Sequence, residues 1–261
     1  MQIVDIRQAK HIADGVIPGA LWMPFAEWRG TEDRPSQPPT EEEFEALLGA
    51  HGLNIDDPIV VHHRAGKTIQ TGRAAIVYWL LKSAGADQVA ILDGGYAAWT
   101  DAGLPSDPTP SQQLPRVVDV TFNSEWWADA MDIFAVTSGQ VNGAILDARL
   151  DAQVRKSVET GKPMMSMPMA QFVPASLFTS PMSSRRISEE GQRAFLADLA
   201  ARGITEDAEF LISVCQTGEL SALSWFYASE IIGIENVRYY PDALRGWAAD
   251  GGLMFGLQVQ E

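Results

Sequence analysis

One order of motifs occurs twice in this 261-residue chain. Gly85, Val89 and Trp99 follow a helical stretch in the first half, and Gly233, Val237 and Trp247 follow another in the second, at one constant offset. An internal repeat restricts the fold more than any local propensity, because both copies must build the same supersecondary unit. Upstream the parallel continues. "IVDIR" with Asp5 and Arg7 and then "IPGA" has its counterpart in "AILDAR" with Asp147 and Arg149 and then "VPAS". Two apolar runs of mostly β-branched residues, "PIVVHH" and "EFLISVC", each lead to a glycine, Gly66 and Gly218, and read as buried strands. Helical patterns follow and end at Gly85 and Gly233, where a C-cap belongs. Each half therefore alternates strand and helix, which predicts an α/β fold of two domains, each a mainly parallel sheet covered by helices on both faces.

The Pro-, Ser- and Gln-rich run "SDPTPSQQLP" has no periodicity and reads as a linker over 106–116, separating a domain at 1–105 from one at 117–261. "VVDVTFNSEWWADAMDIFA" reads as a strand and helix with no counterpart in the first half. At 46% hydrophobic residues, both cores can form without staples.

With one cysteine, Cys215, no internal disulfide or multi-Cys zinc site can form. A formal net charge of -15 argues against nucleic acid or an anionic membrane as partner. No apolar run approaches the roughly 18 residues of a membrane span. The opening Met1-Gln2-Ile3-Val4-Asp5 is unlike a signal peptide, so the cytoplasm is the expected compartment, with the periplasm as the alternative if a leader has been removed.

Cys215 ends a strand run and precedes a glycine and a helix, at the sheet end where α/β folds gather ligands. A free Cys is more often packing than chemistry. A thiol at a helix start, however, has its pKa lowered from about 8.5 to roughly 3.5–7.5, and Gly218 permits a bend that turns loop amides toward the sulfur. Aligned through Gly66 and Gly218, the matching slot in the first half is His63. His62-His63 is predicted to hold no metal, because adjacent strand residues point to opposite faces. The Met-rich "GKPMMSMPMAQF" is read as an apolar loop packing on the other domain, rather than as a soft-metal site.

"VDIR", "GVIPGA" and "LDGGYAAW" in the first half, with "LDAR", "CQTGELSA" and "VRYYPDALRGW" in the second, make the chain resemble the tandem-domain rhodaneses, the thiosulfate and 3-mercaptopyruvate sulfurtransferases. The resemblance spans nearly the whole chain. It implies an inactive first domain and a second domain with a six-residue loop headed by the nucleophile Cys215, at which a donor's sulfane sulfur becomes a persulfide and passes to cyanide or a thiol. Thiosulfate is the donor expected first and 3-mercaptopyruvate the alternative, and no cofactor is implied. The substrate-binding candidates are Gln216, Thr217, Gly218, Glu219, Leu220 and Ser221 in the loop, and by region Arg155 and Lys162. The Asp5/Arg7 and Asp147/Arg149 pairs are expected to brace strand ends. Gln216-Thr217 matches neither the basic residues of thiosulfate-type loops nor the small ones of mercaptopyruvate-type loops.

Glu219 is expected to face solvent as a first-turn acid. Turned inward it would raise the thiol's pKa and repel a dianion. Two rival classes stay open on this residue: a persulfide relay fed by a partner protein, and a non-catalytic binding module. A Cys-plus-Arg phosphatase is disfavoured because Ser221 stands where its phosphate-binding Arg belongs.

Overall fold

A computed structural model describes residues 1–30, 37–177, 189–204 and 208–257. The chain divides into two compact units, 1–124 and 125–261.

In the first unit the strands are β1 (Gln2–Asp5), β2 (Ala20–Trp22), β3 (Ile59–His62) and β4 (Val89–Ile91). They form one parallel sheet in the order β2-β1-β3-β4. The flanking helices are α1 (Glu41–His51), α2 (Thr68–Ser83) and α3 (Gly95–Asp101). α1 starts where it does because Thr40 and Glu43 form a reciprocal capping box, and it stops at Gly52, which takes the left-handed conformation. Val4, Val61, Trp28, Phe44, Leu48 and Trp79 are fully buried beneath these helices. That is the core two buried strands and an apolar helix face must share.

The second unit follows the same plan. Its strands are β5 (Gly143–Asp147), β6 (Met165–Ser166), β7 (Gln171–Phe172), β8 (Phe210–Val214), β9 (Val237–Tyr239) and β10 (Phe255–Gly256). The parallel sheet runs β7-β5-β8-β9, the order of the first unit, and β6 pairs with β10 in a separate antiparallel ribbon. Helices α4 (Ala130–Thr137), α5 (Asp151–Thr160), α6 (Glu189–Ala201), α7 (Glu219–Phe226) and α8 (Ala243–Ala249) flank it. Ile145, Ile212, Val214, Met167, Tyr240 and Leu244 form a buried cluster. Part of the Met-rich stretch is thus core, while Met169 is 65% exposed.

Residues 106–116 are strapped along the first unit: Asp107 exchanges backbone hydrogen bonds with Val16, Ser111 N–H donates to Ala20 O, and Arg116 N–H donates to Gly49 O. The stretch expected to be a strand ahead of "LDAR" lies outside any strand or sheet. Its amides at Val120 and Phe122 donate to the Glu45 and Glu41 carboxylates of α1. No helix among the described residues is long and apolar enough to cross a membrane.

Candidate functional site

The carboxyl ends of the two sheets are built alike. In each unit an aspartate ends the strand and folds an arginine two residues on back against it. Arg7 Nε and Nη2 donate to Asp5 at 3.0 and 2.7 Å, and Arg149 Nε and Nη2 donate to Asp147 at 2.9 and 2.6 Å. All four side chains are buried. Buried charges of this kind persist only when paired and hydrogen-bonded, so the pairs lock the strand ends. Arg149 also holds the Met165 carbonyl, and Ser166 donates to Asp147, which ties β6 to this end of the sheet.

Beside these pairs, the residue after the central strand bonds to the helix that follows the next strand. His63 O accepts from Tyr96 N at 2.8 Å, and Cys215 O accepts from Leu244 N at 2.9 Å. Cys215 and His63 therefore occupy equivalent slots. The side chains are also treated alike: His63 Nδ1 accepts from Ala65 N at 3.0 Å, and Cys215 Sγ accepts from Gly218 N at 3.2 Å.

Around Cys215 the loop turns sharply at Gly218, whose φ of 101° is left-handed, and α7 starts at Glu219. Ser221 Oγ lies 3.3 Å from Sγ and 3.0 Å from Gly218 O. Ser213 on β8 donates to Ser221 O at 3.0 Å, pinning the loop's far end to the strand that carries the cysteine. Gly218, Glu219, Leu220 and Ser221 are buried, Thr217 is half-buried and Gln216 is exposed. Of the loop candidates, Gly218 and Ser221 meet Sγ directly, and Cys215 itself is 1% exposed.

The expected lowering of the thiol pKa is not what this arrangement gives. Burial pushes the Cys215 thiol up, because a thiolate there loses its water. The Ser221 hydroxyl and the Ser221, Thr217 and Gly218 amides pull the other way without overcoming it. Glu219 is a second correction: it is 8% exposed rather than solvated, and Thr217 Oγ1 donates to its carboxylate at 2.6 Å. Arg155 on α5 and Lys162 just after it are exposed, and their side chains make no hydrogen bond or ion pair among the described residues. The structure does not tie either to the loop. Sequence reasoning counted Ser221 as a substrate contact and missed its direct hold on Sγ. The only available signal was that a hydroxyl stood where a charge had been sought.

Residues 1–102 match the model of the rhodanese-like domain family. The chain is 24% identical over 257 residues to a putative thiosulfate sulfurtransferase of Synechococcus elongatus, covering 95% of this chain and 78% of that protein. It is 26% identical over 271 residues to the 3-mercaptopyruvate sulfurtransferase of Escherichia coli, covering 97% and 91%. The crystal structure of SseA from Escherichia coli, a 3-mercaptopyruvate enzyme of rhodanese fold, matches with a TM-score of 0.77 at 22% identity, over 93% of this chain and 92% of that one. With residues 1–102 matched by the domain family and one sheet order in both units, the chain has the two-domain rhodanese fold, its first unit is a rhodanese-like domain, and along nearly its whole length it is similar to thiosulfate and 3-mercaptopyruvate sulfurtransferases.

Proposed function

We propose that the second unit transfers sulfur through a persulfide on Cys215, within a loop formed by Gln216, Thr217, Gly218, Glu219, Leu220 and Ser221. The observation that carries this reading is the convergence of one amide and one hydroxyl on Sγ at the end of a buried strand. Donors so placed stabilise an anionic Sγ, both as the attacking thiolate and as the thiolate restored when the sulfur is passed on.

The chemistry needs no cofactor. The Cys215 thiolate attacks the donor's sulfur and forms an S–S bond. With thiosulfate the donor's own S–S bond breaks and sulfite leaves with the electron pair. With 3-mercaptopyruvate the C–S bond breaks, and the enolate left behind takes up a proton to become pyruvate. A thiol or cyanide then attacks the outer sulfur, and the electron pair returns to Sγ.

Thiosulfate was the donor expected first. The loop as built supports 3-mercaptopyruvate better, since it has no cationic side chain from Cys215 to Ser221 and contains a buried carboxylate at Glu219. A monoanion meets less repulsion there than a dianion. Arg155 and Lys162 are the candidate cations to draw either donor in from solution.

Intact mass after incubation with each donor tests the proposal. The wild-type chain should gain one sulfur atom and Cys215→Ser none, with loading by 3-mercaptopyruvate faster than by thiosulfate. Persulfide formation in Cys215→Ser, or none in the wild type with either donor, overturns it.

A further inference from the structure

The first unit has no cysteine, yet the equivalent end of its sheet is not filled in. A cavity of about 420 Å³ opens there, lined among others by Arg7, Lys10, His11, Arg64, Lys67 and Gln70, with no aspartate or glutamate among the described residues of its wall. That volume lies within the ~300–1,000 Å³ of small-molecule pockets. In a chain with 34 acidic against 19 basic residues, such a lining departs sharply from the average surface.

The charges are also uncompensated. Asp5 neutralises Arg7, but the side chains of Lys10, Arg64 and Lys67 make no ion pair or hydrogen bond among the described residues. His11 shows that the cations converge. Its pKa is lowered first by burial and then by the Arg64 and Lys10 charges, against the pull of Asp14 at 3.9 Å. On the loop side, Ala65 and Gly66 are successive left-handed residues with φ of 83° and 89°. The 16-residue helix α2 then begins with no side-chain cap at Lys67, so the positive end of its dipole faces this loop. Ala65 and Ala97 add apolar wall.

We propose that this pocket binds a small organic anion bearing a phosphate- or sulfonate-type oxyanion group. The oxyanion takes Arg64, Lys67 and Lys10, and an organic body lies against Ala65 and Ala97. Arg in particular suits a tetrahedral oxyanion because its fork can donate twice. The site is built from residues of the first unit and stands whether or not sulfur transfer is the protein's reaction.

The test uses the full chain, with inorganic phosphate and phenyl phosphate as probes at ~0.15 M salt so that diffuse attraction is screened. Amide resonances of residues 65–68 are followed by NMR, alongside the Cys215 alkylation rate. Phenyl phosphate should shift those amides saturably, and more tightly than phosphate. Arg64→Ala/Lys67→Ala should weaken its binding at least about tenfold, roughly the loss of one charge-assisted contact. Arg116→Ala, on the exposed strap, should leave it unchanged, and the alkylation rate should not respond to probe. No saturation below about 10 mM, or equal affinity in the double variant, overturns the site. Equal affinity for both probes overturns the organic body. A response of alkylation without shifts at 65–68 assigns the binding to the second unit and overturns the proposal.

Discussion

Ser221 has one hydroxyl proton and two acceptors within reach, Cys215 Sγ and Gly218 O. With a neutral thiol, the proton can stay on the carbonyl while S–H points at the hydroxyl; with a thiolate, it must turn to sulfur. Ser221 is thus a rotor whose donation is strongest in the ionised state, and it opposes the burial that pushes the thiol up. Removing it in Ser221→Ala should raise the alkylation pKa of Cys215 by about one to two units, since a hydrogen bond to a charged group contributes roughly 1.5–3 kcal/mol and 1.36 kcal/mol is one unit. Alkylation rate against pH measures this, and an unmoved midpoint sinks the role. Because burial keeps the wild-type thiol high, its rate should still be climbing above pH 7. Glu219→Gln removes a buried negative charge from the loop. It should increase the ratio of thiosulfate to 3-mercaptopyruvate loading by about tenfold or more, the effect of roughly 1.4 kcal/mol of relieved repulsion. Parallel loading assays with the two donors check it, and a constant ratio shows that Glu219 does not select the donor.

At the scale of elements, the repeat extends to backbone conformation. Gly95, at the start of α3, has φ 57°, and a Cβ there would run into the His63 carbonyl. Its counterpart at the start of α8 is Ala243, with φ 55°, a conformation an L-residue adopts only at a cost of roughly 1–2 kcal/mol. The second unit therefore holds strain directly under the Cys215 carbonyl, which accepts from the neighbouring Leu244 N. Ala243→Gly should raise the thermal stability of the second unit by about 1 kcal/mol, and Gly95→Ala should lower that of the first by about 2 kcal/mol or more. Calorimetry resolving the two units reads both changes. The repeat's glycines, its strand runs and the slot shared by His63 and Cys215 were all legible in sequence, because each rests on chain-local geometry. The stretch 117–122 was not. Its β-branched pattern is real, but whether such a run pairs or lies extended depends on where its amides find acceptors, and here Glu41 and Glu45 of α1 supply them. Burial of Cys215 and Glu219 was hidden for the same reason: the helix start that favours an anion is local, whereas the packing that removes water is not.

Across the whole molecule the two units share an architecture but not a response to acid. All four histidines lie in the first unit. At the strand end where the second unit places Val214 and Cys215, the first places His62 and His63, both buried. Neither ring nitrogen of His62 has a hydrogen-bond partner among the described residues. Its Nε2 is 3.6 Å from Asp5, and its ring stacks on Tyr96. Desolvation lowers both pKa values from 6.5 to about 4, with Arg7 adding to the effect at His62 and Asp5 opposing it. A protonated His63 would also lose the Nδ1 lone pair that accepts from Ala65. Above pH 6.5 both histidines are neutral whether the chain is folded or unfolded, so they cost nothing. As pH falls below 6.5 the unfolded chain takes up protons that the folded unit refuses, and stability drains until the folded pKa near 4 is reached. By pH 5 the loss is about 2 kcal/mol for each histidine, from 1.5 units at 1.36 kcal/mol per unit. Between pH 7 and pH 5, hydrogen exchange at β3 and α2 should therefore speed up strongly while β8 and α7 change little. Installing the second unit's residue, His62→Val, should remove about half of the difference. Equal acid sensitivity in β3 and β8, or an unchanged slope in His62→Val, would show that these two rings do not set the first unit's acid limit.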